Sequence, residues 1–266
     1  MSDLIGLISI IFLIFMTMLA AVHWSSISKI LYIALILRVT LLLSGHYFIN
    51  LPDSNSDSIR FELNAWILAS DGFYNVLNNF NGPSSDFISW IIAIPYSLFG
   101  RSLLMAQSMS VFFGMICIIL VWKLSRILWN DNIANKSAWI IAIFPSMVLY
   151  SVLLMREIYV CFFLIIGLYG LVTWLKTYKL KSIALILVGF LGGTFFHGAI
   201  IFGLSTLLII FITTTLIKFF QLILKLKTSY KVLIHLTLLT AIFFVLMLNI
   251  IYIPKLGKIE NLTKIQ

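Results

Sequence analysis

The chain has 266 residues, of which 62% are hydrophobic and only 10% are charged, and its mean hydropathy is +1.11. A soluble domain carries roughly a quarter charged residues, so this composition excludes a soluble globular protein, and the high apolar content excludes a disordered one. The net charge of +9 does not indicate nucleic-acid binding, because most basic residues lie in short segments between long apolar runs. The sequence therefore predicts an all-α, polytopic membrane protein.

The apolar runs predict about eight transmembrane helices in a single integral membrane domain, residues 1–266. Each run is close to the ~20 residues that cross ~30 Å of hydrocarbon, and together they cover residues 4–22, 30–49, 103–122, 137–155, 158–175, 182–197, 199–217 and 232–253. The first run has no basic flank and no cleavage site of small residues, which indicates a span and not a signal peptide. The shorter stretch 87–100 predicts an interfacial or re-entrant segment, and residues 254–266 form a short tail.

The positions of Lys and Arg predict the orientation of the chain. With eight spans, eleven basic residues fall in the loops 23–29, 123–136, 176–181 and 218–231, and the positive-inside rule places these loops in the cytoplasm. Residues 50–86 then form an external loop that holds five of the nine acidic residues. This pattern is typical of a multi-pass protein of the bacterial inner membrane.

The external loop contains a predicted amphipathic helix over residues 57–71, with the sequence DSIRFELNAWILASD. Helical spacing places Ile59, Leu63, Trp66 and Ile67 on one face, and Gly72 follows as a natural C-cap. We expect this helix to lie on the outer surface of the membrane.

Two aspartates of the loop are candidates for catalysis. A carboxylate at Asp57, near the membrane plane, can accept the proton of an acceptor hydroxyl; the alternative is an N-cap or first-turn acid that favours the helix dipole. Asp86 is a candidate second carboxylate that orients the acceptor or binds a divalent cation, with a solvated loop acid as the alternative. The other acids of the loop, Asp53, Glu62 and Asp71, are expected to be solvated.

Four polar residues near or within the predicted spans are further candidates. Arg156, next to Glu157, lies between two spans on the external side, where it can bind a lipid phosphate; the alternative is a polar turn with a local ion pair. His197 follows two glycines at the outer end of the sixth span and is a candidate phosphate ligand, or an ordinary interfacial histidine. Arg38, in the middle of span two, is expected to pair with a carboxylate in the bundle or to extend to an interface.

Residues of about 30–200 resemble the N-terminal core of the GT-C membrane glycosyltransferases, chiefly the bacterial relatives of protein mannosyltransferases and of the aminoarabinose transferase. Three segments carry the resemblance: DSNSDSIRFELNAW, IPYSLFGRSLLMAQSMSVFFGMICIILVWKLSRILW and FPSMVLYSVLLMREIYVCFFLIIGLYGL. The resemblance implies a polytopic enzyme that uses sugars carried on polyprenyl phosphate. By position, Asp57 matches the family's first-loop acid, Asp86 a second acid, and Arg156 and Glu157 the polar residues after a Pro-containing span. The chain departs from the family in its shorter length and in an extra span before the usual first one.

The predicted function is transfer of a sugar from a polyprenyl-phosphate-linked donor to a lipid or glycan acceptor in envelope polysaccharide assembly. No Cys or His spacing indicates a metal site, and a divalent cation is left open as cofactor. Three alternatives remain: an O-antigen-type polymerase or ligase, a transporter or flippase whose pathway is lined by Arg38, Arg156 and His197, and a non-catalytic membrane partner of a larger complex. Convergence of Asp57, Arg156 and His197 on one external cavity would favour the transferase.

Overall fold

The computed structural model describes residues 2–80, 82–84, 86–177, 179–223, 230, 233–234, 236–242 and 244–245. Throughout these ranges the regular structure is helical, without a strand, as the composition predicts. The helices are α1 (Ser2–His23), a 3-10 turn (Ser25–Ile27), α2 (Ser28–Tyr47), α3 (Asp57–Ser70), α4 (Phe73–Asn78), α5 (Phe87–Phe99), α6 (Leu103–Leu128), α7 (Asp131–Ile143), α8 (Pro145–Val152), α9 (Arg156–Thr177), α10 (Leu180–Phe196) and α11 (Ile200–Ile223). The chain divides into two compact units, Met1–Gly198 and Ala199–Gln266.

Five helical segments in the described part of the chain are long and apolar enough to cross a membrane: α1, Ser25–Tyr47, α6, α9 and Ile200–Gln221. The pair α7 and α8 passes the same test together, whereas α5 and Lys181–Phe196 are shorter apolar helices. The protein is therefore embedded in a membrane with five or six candidate spans among these residues. The predicted count of eight stays a prediction, because half of 232–253 and all of the tail 254–266 lie outside the described residues.

The predicted span 137–155 is interrupted between Phe144 and Pro145, although α7 and α8 together can make one bent span. The axes of α7 and α8 differ by 54°. Pro145 has no N–H with which to bond the carbonyl of Ile141, so the helix cannot continue through it. The N–H of Phe144 makes the last bond of α7, to Ile140 at 2.9 Å, and Pro145 takes the first position of α8.

Two apolar clusters form the core of the first unit. One lies between α1, α2, α6, α7 and α8. The other, which we call the α3–α10 cluster, joins α3, α5, α9 and the end of α10, and its members include Phe61, Ile88, Ile158, Tyr159 and Phe196. Since α6 contributes residues to both clusters, it is the central helix of the unit.

The helices α9 and α10 are in backbone contact through glycines. A Cβ atom added to Gly189 would lie 2.2 Å from the backbone nitrogen of Gly167, and one added to Gly170 would lie 2.7 Å from that of Ile186. Small residues at such positions let membrane helices approach closely. These glycines therefore fix the position of the C-terminal end of α10 relative to α9.

The ends of the helices in the first unit form two polar layers. At one end, which we call the acidic end, the hydroxyl of Ser102 donates to the carbonyl of Ser2 at 2.7 Å, and that of Tyr150 donates to Asp53 at 3.4 Å. These contacts place the start of α1, the segment before α3, the start of α6 and the end of α8 together.

The opposite end, which we call the basic end, joins the turn after α1 to the ends of α6 and α9. The ammonium of Lys123 lies 4.4 Å from the ring centre of Trp24, and that of Lys176 donates to the carbonyl of Ile127. The predicted external loop and the first three predicted cytoplasmic loops therefore occur at opposite ends of the same unit.

Candidate functional site

The helix α3 begins the candidate site at the acidic end, and its bounds agree with the predicted 57–71 to within one residue. Its face with Phe61, Ala65 and Ala69 is buried in the α3–α10 cluster. The apolar residues Ile59 and Leu63 are instead about half exposed, as is Ile67 at the next turn. The helix thus packs against the bundle with one apolar face and leaves a second one uncovered.

Asp57 and Asp86, the two predicted catalytic acids, meet at Arg60. The Nη2 atom of Arg60 lies 3.5 Å from an Oδ1 atom of each aspartate, so these oxygens are no more than about 7 Å apart, twice the shared distance. Ser56 occupies the N-cap position of α3, and Asp57 is a first-turn acid. All three charged side chains are between 41% and 50% exposed, so the ion pairs contribute little stability and the carboxylates remain accessible.

Glu62 is not solvated, contrary to expectation, but is the buried acceptor of an ion pair whose arginine is partly exposed. Its side chain is 9% exposed, and its two oxygens accept hydrogen bonds from Nε and Nη2 of Arg101 at 2.9 and 2.7 Å. The hydroxyl of Tyr96 donates to the same carboxylate at 3.2 Å. Such a fork of charge-assisted bonds fixes both side chains, and it joins α3 to α5 and to the start of α6.

The surroundings of this ion pair determine its protonation. Burial, followed by the charge of Glu62, raises the pKa of Tyr96 well above its usual range. The hydrogen bonds to Glu62 raise the pKa of Arg101. Tyr96 is therefore a neutral hydrogen-bond donor, and Arg101 a permanent cation, at any physiological pH.

A polar cavity of about 250 Å³ lies beside Glu62. It is bounded by the end of α2, the segment that follows, α3, α6 and Leu153, and its polar lining consists of His46, Asn50, Ser54, Asn55, Ser58, Glu62 and Gln107. Gln107 is only 7% exposed, and its Oε1 atom has no hydrogen-bond partner among the described residues. Because an unpaired buried acceptor costs about 1–3 kcal/mol, this atom is expected to bind a donor that enters the cavity.

A second recess, of about 350 Å³, adjoins the first at Glu62. It shares His46, Glu62 and Leu103 with the polar cavity and extends to Arg101 and to the first residues of α1. The ion pair of Glu62 therefore forms a wall between two open spaces at the acidic end.

Arg156 and Glu157 form the local ion pair that was the alternative to a phosphate site. The Nε atom of Arg156 lies 3.6 Å from Oε1 of Glu157, and the two side chains are 23% and 40% exposed. Both residues lie in the first turn of α9, where the N–H groups and the helix dipole also favour an anion. The arrangement is compatible with both interpretations, since Arg156 is half-buried and its buried Nε atom makes no hydrogen bond among the described residues.

The α3–α10 cluster brings together the four segments that carry the predicted site residues. Three of the predicted site residues lie shortly before a member of this cluster in the sequence: Asp57, like Arg60, precedes Phe61, Asp86 precedes Ile88, and Arg156 precedes Ile158. His197 is the exposed C-cap of α10, directly after Phe196. The ring of Phe196 lies 5.0 Å from that of Phe87 and 5.2 Å from that of Tyr159. The polar cavity, however, is lined by other residues than Asp57, Asp86, Arg156 and His197.

Among the described residues Arg38 has no carboxylate partner, and its side chain is buried and does not extend to an interface, so both expectations for it are wrong. It is completely buried, and its Nη1 donates to the carbonyls of Ala142 at 2.8 Å and of Ala34 at 3.3 Å, while Nη2 donates to Ile141 at 3.4 Å. Two of these acceptors, the carbonyls of Ile141 and Ala142, belong to α7 at the bend before Pro145. Arg38 therefore stabilises the break in the helix and is not part of the candidate site.

Three residues of the site, Glu62, Arg101 and Gln107, were missed from the sequence. Nothing in the spacing of Glu62 and Arg101, which lie in different elements, indicates that they pair. Gln107 did carry a signal, since a polar side chain in the second turn of an apolar helix is unfavourable in a membrane unless it has a function.

The described residues contain no group of three or more His, Cys, Asp or Glu side chains that could hold a metal ion. Comparison with known proteins gives no family: no family model, no curated protein and no solved structure matches the chain.

Proposed function

We propose that the protein is a membrane glycosyltransferase that moves a sugar from a polyprenyl-phosphate-linked donor to a lipid or glycan acceptor during envelope polysaccharide assembly. In this proposal Asp57 is the general base, Asp86 is the second carboxylate, and Arg156 and His197 bind the donor phosphate. The resemblance of residues 30–200 to the GT-C enzymes led to this hypothesis.

The observation that carries the proposal is the convergence of these four residues' segments on the α3–α10 cluster. One arginine, Arg60, contacts the acids at the starts of α3 and α5. The start of α9 carries a cation, Arg156, and the end of α10 is followed by an imidazole, that of His197, and both helices contribute to the same cluster. A transferase requires this combination of a base and a phosphate ligand at one place.

The proposed reaction needs no redox step. The acceptor hydroxyl oxygen attacks the anomeric carbon of the donor, and its proton passes to the Asp57 carboxylate. The bond between that carbon and the phosphate oxygen breaks, and the electron pair leaves with the polyprenyl phosphate. Arg156 and His197 stabilise the negative charge of the leaving phosphate. A divalent cation at Asp86 remains compatible with this scheme.

The proposed orientation places the acidic end outside a bacterial inner membrane and the basic end in the cytoplasm. The uncovered apolar residues of α3, Ile59, Leu63 and Ile67, would then lie in the outer interface as an amphipathic helix does. A polyprenyl chain in the outer leaflet would place its phosphate at the same depth as this helix.

Replacement of Asp57 by Asn tests the proposal. Asparagine preserves the shape of the first turn but is no base, and general base catalysis contributes roughly 10²–10⁴ in rate. Cells that lack the protein are expected to show an altered profile of lipid-linked glycans in mass spectrometry, which wild type restores and Asp57→Asn does not.

Asp71→Asn is the matched control, since Asp71 lies at the other end of α3 and bonds through its backbone, with its carbonyl accepting from Asn75 at 2.7 Å. This variant should restore the profile fully. Normal restoration by Asp57→Asn at wild-type protein level would refute the catalytic assignment. An unchanged glycan profile in cells without the protein would refute the transferase itself.

A further inference from the structure

We infer that the polar cavity beside Glu62 binds one uncharged sugar ring, the terminal residue of the glycan acceptor. The identity of the ligand as an acceptor rests on the proposed function. The binding of a neutral polyhydroxylated ring rests only on the cavity and its lining.

The hydrogen-bonding groups of the cavity select for hydroxyls. The buried carbonyl of Gln107 needs a donor, whereas the amide groups of Asn50 and Asn55 offer both donors and acceptors. Ser58, which is buried at 5% exposure, adds a hydroxyl to the same wall. A ligand that both donates and accepts at several positions of a compact frame satisfies this set, and a sugar ring has these properties.

The charge of the cavity excludes the donor phosphate as its occupant. Glu62 is the charged residue in the lining, and its carboxylate is already bonded to Arg101. No lysine or arginine lines this cavity within the described ranges, so a phosphate would meet a carboxylate and find no cation. The proposed phosphate ligands, Arg156 and His197, line other parts of the surface. Donor and acceptor are therefore assigned to different places.

The volume and position of the cavity fit a single ring next to the proposed base. A volume of about 250 Å³ corresponds to about eight water molecules at ~30 Å³ each, which leaves room for one sugar ring. Ser58 and Ile59, which line the cavity, directly follow Asp57 in the first turn of α3. A ring held here would present a hydroxyl close to the start of that helix.

Protection of an introduced cysteine tests the inference on the purified full-length protein in detergent. Ser54→Cys, in the lining, is labelled with a maleimide in a Cys161→Ala background, and Cys117 is buried. The probes are the methyl glycosides of glucose, galactose, mannose and N-acetylglucosamine, with inorganic pyrophosphate and glycerol for comparison. At least one glycoside is expected to slow the labelling saturably, whereas pyrophosphate and glycerol are not. Ser70→Cys, an exposed site outside the cavity, should label at the same rate with every probe.

Loss of the hydrogen bond at Gln107 should weaken the protection. Gln107→Met keeps the length of the side chain, and the concentration of glycoside for half protection should rise about tenfold, as expected for one hydrogen bond. If this variant does not fold, Asn50→Ala, at an exposed position of the lining, should produce a similar rise.

Several outcomes would overturn the inference: no glycoside protects, pyrophosphate protects instead, or neither lining variant weakens the protection. The result is separable from the proposed function. Asp57→Asn should still bind the glycoside, because binding needs no base. Absence of protection with Asp57-dependent glycan transfer would refute the cavity assignment alone. Protection without any role of Asp57 in transfer would leave a sugar site and refute the catalytic proposal.

Discussion

The ion pair between Glu62 and Arg101 allows a quantitative prediction about the stability of the acidic end. Arg101→Met removes both bonds of the fork and leaves a carboxylate of 9% exposure with Tyr96 as its remaining hydrogen-bond donor. Removal of one partner of a fully buried pair costs about 3–5 kcal/mol. Because the Arg101 side chain is 44% exposed, water screens part of the interaction, and we expect a loss of about 2–3 kcal/mol.

Thermal unfolding of the purified protein in detergent measures this loss. A change of this size lowers Tm by about 4–12 °C in a chain of this length. The double variant Glu62→Gln/Arg101→Met replaces the uncompensated carboxylate by a neutral amide, so it should be more stable than Arg101→Met by at least about 1 kcal/mol.

Arg126 provides a matched control at the basic end. It also pairs with one carboxylate, that of Asp131, and lies over one indole ring, that of Trp122 at 5.2 Å, as Arg101 lies over Trp66 at 5.8 Å. The difference is exposure, since the side chain of Asp131 is 68% exposed. Arg126→Met should therefore cost less than about 1 kcal/mol. Equal losses for the two arginine variants, or a double variant no more stable than Arg101→Met, would refute the reasoning.

Three further predictions follow from the fold. Tyr96→Phe should flatten the alkaline loss of stability, because the raised pKa of Tyr96 means that the unfolded chain releases this proton above about pH 10 while the fold retains it. The free energy of unfolding of the wild type should then fall more steeply with pH than that of the variant, by up to about 1.4 kcal/mol per pH unit, and Tm measured from about pH 9 to 11 should show the same difference in direction. Arg38→Met should lower Tm strongly. The double variant Arg38→Met/Pro145→Ala should recover part of the loss, because alanine restores an N–H at the bend. No recovery would show that the carbonyls at the bend find other donors. In intact cells, Ser54→Cys should react with an impermeant maleimide and Lys179→Cys should not; equal labelling would overturn the proposed orientation.

The sequence predicted the helical class and the position of α3, because both depend on local patterns of apolar residues. It did not predict which face of α3 is buried. In a membrane both faces can be apolar, and Phe61 packs inside while Ile67 remains 63% exposed. Pro145 in the sequence indicated the break within the predicted span 137–155, but the length of the apolar run favoured a single span.

The candidate site was predictable only in part for a similar reason. Asp57 and Asp86 were identified from the charge of their loop, and their common contact with Arg60 depends on the packing of α3 against α5. Glu62 is distinguished from its acidic neighbours only by facing this interface. Such tertiary contacts between elements have no signature in single-sequence periodicity.

The contact of Arg38 with α7 imposes an order on the synthesis of the protein. Arg38 and its acceptor Ala142 are 104 residues apart, and at about 5–20 residues per second the ribosome needs roughly 5–20 s to make the intervening chain. During this interval the guanidinium on α2 lacks its acceptors on α7, because α7 has not yet been made. An arginine at the centre of a membrane helix costs about 2.5–3.5 kcal/mol on insertion scales. Arg38 therefore gains its acceptors on α7 only after the chain up to α7 has left the ribosome, and a nascent chain arrested before residue 140 should be extracted from the membrane more readily than a longer one.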